Sequence, residues 1–253
     1  MLVLGLLGRQ DLHLPKKALQ KEPNKYEAGQ VILIDKPLDW TSFDVVRKIR
    51  SLIKIKKVGH AGTLDPLATG LLIVCTGKFT KKINEYMGME KEYTGTFTLG
   101  AVTPTYDLES EPVEVKDISA ITEEQIYKAT AFFTGEIQQV PPIHSAIKQG
   151  GKPVYLMARK GIDVQLEART VTIKSFTIEK IELPLVYFKV VCSTGTYIRS
   201  LAHDYGKQVG CGAHLSGLRR TRIGVFLASE AQTMEAFVQQ AKREAVSEGE
   251  TNS

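Results

Sequence analysis

The spacing of apolar residues changes several times along the chain, and each change predicts an element. VILI at 31–34 is a short unbroken apolar run stopped by Pro37, which reads as a buried strand. Thr41 and Asp44 then stand at capping-box spacing, and Val46, Ile49 and Ile53 follow at helical spacing, predicting a helix over 42–55. Another apolar strand is expected at 71–74. YTGTFTLG at 93–100 alternates with period two, as a half-buried strand does. Thr122 and Gln125 repeat the capping-box spacing ahead of Gly135, so 122–134 reads as a helix. PVYLMARKG at 153–161 reads as a shorter helix closed by Gly161. Strands are expected near 170–178 and 186–193. Ile198, Leu201, Ala202 and Tyr205 share one face of the next helix, which Gly210 ends. LRRTR at 218–222 reads as a basic loop, and 234–246 as a last helix before a solvated tail. Strands and helices intermix without a βαβ rhythm, which predicts an α+β fold. Residues 1–28 lack sustained periodicity and read as a flexible extension. Residues 29–229 form one domain in this reading, and 230–253 a C-terminal helix and tail.

Composition narrows the class. The 253 residues are 43% hydrophobic and 24% charged, which excludes a disordered or low-complexity chain. Cys75, Cys192 and Cys211 are an odd number without CxxC spacing, which argues against a disulfide scaffold or a structural zinc site. No apolar run approaches the roughly 20 residues of a membrane span. The opening MLVLGLLG lacks the basic region and cleavage site of a signal peptide. A cytoplasmic protein with no membrane partner is expected. The net charge of +5 only nudges the expectation toward an anionic partner, but its placement says more. Arg47, Lys48, Arg50, Lys54, Lys56 and Lys57 crowd a stretch, 45–58, that holds no acidic residue. LRRTR adds Arg219, Arg220 and Arg222. Such clusters are most often solvated faces; two of them with interspersed Tyr and His suit a phosphate backbone with exposed bases.

The densest candidate chemistry is GHAGTLDPLATGLLIVCTGK at 59–78. Gly59, Gly62 and Gly70 permit tight backbone paths, and Pro66 biases Asp65 away from helix. A carboxylate held on a structured loop ahead of an apolar strand suits a nucleophile or base. The same pattern also suits a turn in which Asp65 caps neighbouring amides. Thr76-Gly77-Lys78 does not complete a P-loop, because position 72 is Leu and position 79 is Phe. Neither GxGxxG nor GxSxG occurs. His203, Cys211 and His214 match no common zinc spacing, so no metal is expected. Arg199, in STGTYIRSLAHD, reads equally as a carboxylate clamp or as a surface arginine. Lys36-Pro37 either shapes a loop near the site or ends a strand.

Six segments in order closely resemble the TruB-type tRNA pseudouridine synthases: DKPLDWTSFDVV, GHAGTLDPLATGLL, KEYTGTFTLG, EIQQVPPIHSAIKQGGKPVYLMARKG, STGTYIRSLAHD and GAHLSGLRRTRIG. They span about residues 30–226. The resemblance implies the pseudouridine synthase fold, a mixed, mostly antiparallel central sheet flanked by helices and loops. It implies isomerisation of uridine-55 in the T-loop of tRNA, with no cofactor and no metal, by a monomer that grips the T-arm stem-loop. Asp65 falls on the family's catalytic aspartate, Tyr93 on the tyrosine that stacks on the target base, and Arg199 on the arginine paired with the aspartate. His60, Tyr197 and Leu218 match positions around the flipped uridine, and Lys36 and Pro37 match a Lys-Pro motif near the site. Arg219 and Arg220, in the basic segment, are expected to bind substrate. About thirty residues follow Arg222, so the likeness is to the short form, without a C-terminal PUA-type domain. Two other classes compete. An RNA chaperone would use the same basic surface but would not need Asp65, Tyr93 and Arg199 together. A uridine-processing hydrolase would release free uracil.

Overall fold

The computed structural model describes residues 24–143 and 166–250, together with 145, 148–149 and 152–153. In chain order the strands are β1 Val31–Lys36, β2 Val58–His60, β3 Ala68–Thr76, β4 Lys91–Leu99, β5 Ala101–Val102, β6 Glu114–Val115 and β7 Gly135–Gln139. They continue with β8 Lys148–Gln149, β9 Lys152–Pro153, β10 Arg169–Glu182, β11 Leu185–Cys192, β12 Ala213–Ile223, β13 Phe226–Leu227 and β14 Gln232–Thr233. Ten of them form one sheet in the order β14-β1-β3-β12-β4-β11-β10-β7, with β2 added on β3 and β13 on β12. Among the described residues only the β1–β14 and β3–β12 pairs in this sheet run parallel. The sheet is therefore mixed and mostly antiparallel, and the fold is α+β as expected.

Two helices explain where the cores lie. Helix Ser42–Ile53 opens with the expected capping box, Thr41 and Asp44 satisfying each other's backbone amides. Its Val45, Val46, Ile49 and Ile53 face β1, β3 and the C-terminal helix Met234–Glu250, where Ile34, Leu72, Val74 and Phe237 complete one core. Helix Ile198–Val209 packs Leu201, Ala202 and Tyr205 on β4, β11 and β12 in a second core. There Phe97 stacks on Phe188 at 4.1 Å between centroids, with Phe176 and Tyr205 around them. Each such side chain contributes about 1.5–3 kcal/mol on burial. The second helix ends at Gly210, which takes the left-handed cap conformation.

Four expectations need correction. LRRTR is not a loop: 218–222 lie within β12, between β3 and β4 at the centre of the sheet. The arginines are tolerated there because each finds oxygen partners inside the protein. The extension does not reach residue 28: helix Lys25–Ala28 packs on the body, with Tyr26 buried and its hydroxyl donating to Glu244 at 2.8 Å. Gly77 permits this approach, since a β-carbon there would stand 2.2 Å from the Glu27 carbonyl oxygen. The helix expected over 122–134 is α-helical for Glu123–Ala129 and tightens to a 3-10 turn over Thr130–Phe133. The C-terminal helix runs to Glu250, past the expected 246. The helix expected over 153–161 lies, from 154 onward, outside the described residues, as do 1–23 of the extension.

Candidate active site

Asp65 lies on the turn between β2 and β3, where the Ala68 amide donates to the Asp65 carbonyl at 3.0 Å. Its carboxylate meets the side of the Arg199 guanidinium, Nε to Oδ2 at 3.0 Å and Nη2 to Oδ1 at 3.2 Å. The Nη2 contact is a hydrogen bond that fixes the carboxylate's orientation, and the Nε contact adds an ion pair. The arginine side chain is 4% exposed whereas that of Asp65 is 35% exposed, so the carboxylate is presented and the cation is not. Arg199 also reaches Asp107, Nη1 to Oδ2 at 3.4 Å, so one buried cation serves two carboxylates. Burial pushes the Asp65 carboxyl above its usual range; Arg199 pulls it down and Asp107 pushes it up.

The loop that carries Asp65 is stapled by buried polar side chains from three other elements. Ser42, in the first turn of its helix, donates to the Leu64 carbonyl at 3.2 Å and accepts from the Leu64 amide at 2.9 Å. Lys36 is fully buried at the end of β1 and donates to the carbonyls of Pro37 at 2.9 Å, Trp40 at 2.5 Å and Pro66 at 3.2 Å. Burial lowers its pKa to about 8. Arg220, 1% exposed on β12, donates to the carbonyls of Leu71 at 2.8 Å, Gly62 at 3.1 Å and Thr63 at 3.4 Å. Gly70 lets β12 come this close: its φ is +101°, and a β-carbon would lie 2.3 Å from the Arg220 carbonyl oxygen. Arg220, expected to bind substrate, is therefore spent on the protein's own backbone, and Lys36 shapes the loop near the site, one of its two expected roles.

The remaining expected residues surround this centre. Tyr93 is buried directly across from Arg220 in the β4–β12 register. Burial raises its phenol, opposed by the Arg220 charge. His60 is kept below its usual pKa by burial and by Arg220, and its Nδ1 is buried with no hydrogen-bond partner. Leu218 lines a pocket with Asp65, Ala68, Asp107 and Leu215. Through Leu67, Ser216 and Gly217 this pocket continues into an open groove bordered by Leu38, Thr69, Thr94, Thr96 and Arg219. Arg219 pairs with Asp35 at 2.9 and 2.8 Å. Tyr197 precedes the Arg199 helix, and its amide and carbonyl are clamped by the Gln139 side chain at 2.7 and 3.0 Å. Pro37 contributes a carbonyl to Lys36. The basic helix and the residues just after it present Lys48, Lys54, Lys56 and Lys57 to solvent, while Arg47 pairs with Asp44 and Arg50 donates to the Val58 carbonyl. Among the described residues no cluster of His, Cys, Asp or Glu could hold a metal, and no helix is long and apolar enough to cross a membrane.

Sequence reading misses Asp107, Ser42 and Gln139. Each acts through a partner distant in the chain, and no local pattern marks it.

Comparisons with known proteins match the chain along most of its length. A family model for the TruB family pseudouridylate synthase (N terminal domain) matches residues 50–198, and one for the tRNA pseudouridylate synthase B C-terminal domain matches 199–250. The chain is 52% identical over 222 residues to tRNA pseudouridine synthase B of Flavobacterium johnsoniae, covering 85% of this chain and 97% of that one. It is 46% identical over 224 residues to the protein of the same name from Chlorobaculum tepidum, covering 87% and 93%. Among solved structures, a chain of a Cbf5-Nop10-Gar1 complex superposes with a TM-score of 0.67 at 33% identity, over 87% of this chain and 56% of that chain. A chain of an H/ACA RNP bound to a substrate RNA containing 2'-deoxyuridine gives 0.64 at 30% identity, over 85% and 54%. The present chain thus spans just over half the length of those two.

Proposed function

The chain belongs to the TruB family of pseudouridylate synthases, and from that premise and this site we propose that it isomerises uridine-55 in the T-loop of tRNA, with Asp65 acting on the ribose. The observation that carries the reading is the partly exposed Asp65 carboxylate held side-on by the buried Arg199. The reaction breaks the N1–C1′ bond, turns the uracil and joins C5 to the same carbon. The atoms in and out are the same and nothing is oxidised, so the chemistry calls for no imported group. Attack on C1′ and removal of a sugar proton both begin from ionised Asp65. Arg199 sets the carboxylate's direction and leaves its outer edge free for the sugar.

The target base must leave the loop's stack, at a cost of a few kcal/mol. Tyr93, within electrostatic reach of Asp65, is assigned the aromatic face that offsets this, with Leu218, His60 and Tyr197 around the base. Arg219, 41% exposed on the groove beyond its pair with Asp35, is assigned to the RNA backbone. The groove takes the T-arm stem-loop, and the lysines on the 42–53 helix and just after it extend the phosphate track. The catalytic unit, 29–229 with the packed helices on either side, works as a monomer in the cytoplasm in this reading. Incubation with unmodified tRNA and position-resolved detection of pseudouridine tests the proposal. A single pseudouridine at position 55 is expected; free uracil, or modification elsewhere only, would overturn it.

A further inference from the structure

Asp107 reaches Arg199 from a segment whose backbone is not relaxed. Tyr106, directly before it, has φ +65°, in the left-handed region that a β-carbon disfavours. Its ring lies flat against the imidazole of His203, with centroids 3.9 Å apart and planes 16° from parallel. His203 stands four residues after Arg199 on the same helix, so both side chains rise from one helical face. Backbone bonds pin this segment from outside: the Leu215 amide donates to the Tyr106 carbonyl at 2.9 Å, and the Thr103 hydroxyl to the Asp107 carbonyl at 2.7 Å. Those bonds set the distance of the segment from β12. They do not restrain the Tyr106 ring. The Glu109 amide donates to Asp107 Oδ1 at 3.0 Å and holds one edge of the carboxylate, while the turn at Tyr106 sets where the residue that carries it stands.

We propose that Tyr106 and His203 form a latch: the stacked rings hold the left-handed turn, the turn keeps the Asp107 carboxylate on Arg199, and Arg199 thereby stays aligned on Asp65. Both are positioning residues for the chemical step, and neither needs to touch RNA. Burial holds the His203 pKa near 4, so the ring stacks as neutral imidazole under working conditions. The inference rests on the assignment of Asp65 as the residue that acts on the ribose.

The test measures kcat and KM for His203→Ala and Tyr106→Leu on tRNA. A latch that acts on alignment lowers kcat by about tenfold to a hundredfold and leaves KM within about threefold. His203→Phe restores a flat ring without the nitrogens and is expected to recover most of kcat. In an Asp107→Asn background, where the carboxylate is already gone, His203→Ala has little further effect. Should His203→Ala fail to fold, His203→Leu keeps apolar bulk without a flat ring and carries the same expectation. Wild-type kcat without the ring, no recovery with Phe, or a full additional loss in the Asp107→Asn background would each overturn the latch. Asp65→Asn is assayed alongside. Turnover by that variant overturns the Asp65 assignment itself, whereas an inactive Asp65→Asn beside a fully active His203→Ala overturns the latch alone.

Discussion

Asp65 is caught between a guanidinium that favours its charge and two influences that oppose it, burial and the neighbouring Asp107. The net direction is upward, so the folded protein holds that proton more tightly than a free aspartate with its pKa of about 3.9. Since the ionised form is the active one, the acidic limb of kcat/KM should fall at a higher pH than a free aspartate would give. A pH profile checks this, and a limb at or below the free value would contradict it. At this scale the sequence reveals much of the centre. Glycines at 59, 62 and 70 and the Asp-Pro step mark Asp65 as a residue on a shaped loop, and the likeness of GTYIR to its family counterpart points to Arg199. At Lys36 the structure selects one of the two readings left open, the shaping of a loop near the site. The sequence misleads at Arg220, whose charge in a basic segment reads as exposure, yet its long stem runs through the interior and its head group is satisfied by backbone carbonyls. That outcome depends on which carbonyls the fold brings near, which no local window contains.

Elements turn those residues into a site. The first turn of helix Ser42–Ile53 does two jobs: Thr41 and Asp44 cap it, and Ser42 grips both backbone groups of Leu64, one residue before Asp65. Ser42→Ala should therefore cost about 1–3 kcal/mol of stability, because two buried backbone groups lose their partner. It should also lower kcat; denaturant unfolding and steady-state kinetics measure the two effects. The helix, its cap and strands β1 and β4 are legible because their periods and stop signals are local. Strand β12 is not, because three arginines in five residues mimic a solvated loop. Only its seat between β3 and β4, with Gly70 open to Arg220, makes it a strand. Asp107 is invisible for the same reason: it enters the site through the turn at Tyr106, from a segment with no period of its own.

For the whole molecule, the charge map differs from the one the sequence suggests. LRRTR does not form a phosphate-binding loop, since Arg220 is buried and Arg222 pairs with Glu90. Beyond Arg219 and Arg47, which pair with Asp35 and Asp44, exposed positive charge is carried by the lysines at 48, 54, 56 and 57. Replacing Lys54, Lys56 and Lys57 by Ala should weaken tRNA binding and flatten its salt dependence, by about 0.7–0.9 in the slope of log K against log salt for each phosphate no longer neutralised. Binding titrations at several salt concentrations measure this, and an unchanged slope would place the RNA elsewhere. The sheet, its two cores and the stapled loop all converge on one partly exposed carboxylate. The most direct measurement of its role is single-turnover conversion of unmodified tRNA by wild type and by Asp65→Asn, with binding measured in parallel. Asp65→Asn should bind tRNA about as tightly as wild type and form no pseudouridine at position 55, because the side chain keeps its shape and loses the charge that acts on the ribose. Turnover by Asp65→Asn within about tenfold of wild type, equivalent to roughly 1.4 kcal/mol in the barrier, would contradict the assignment.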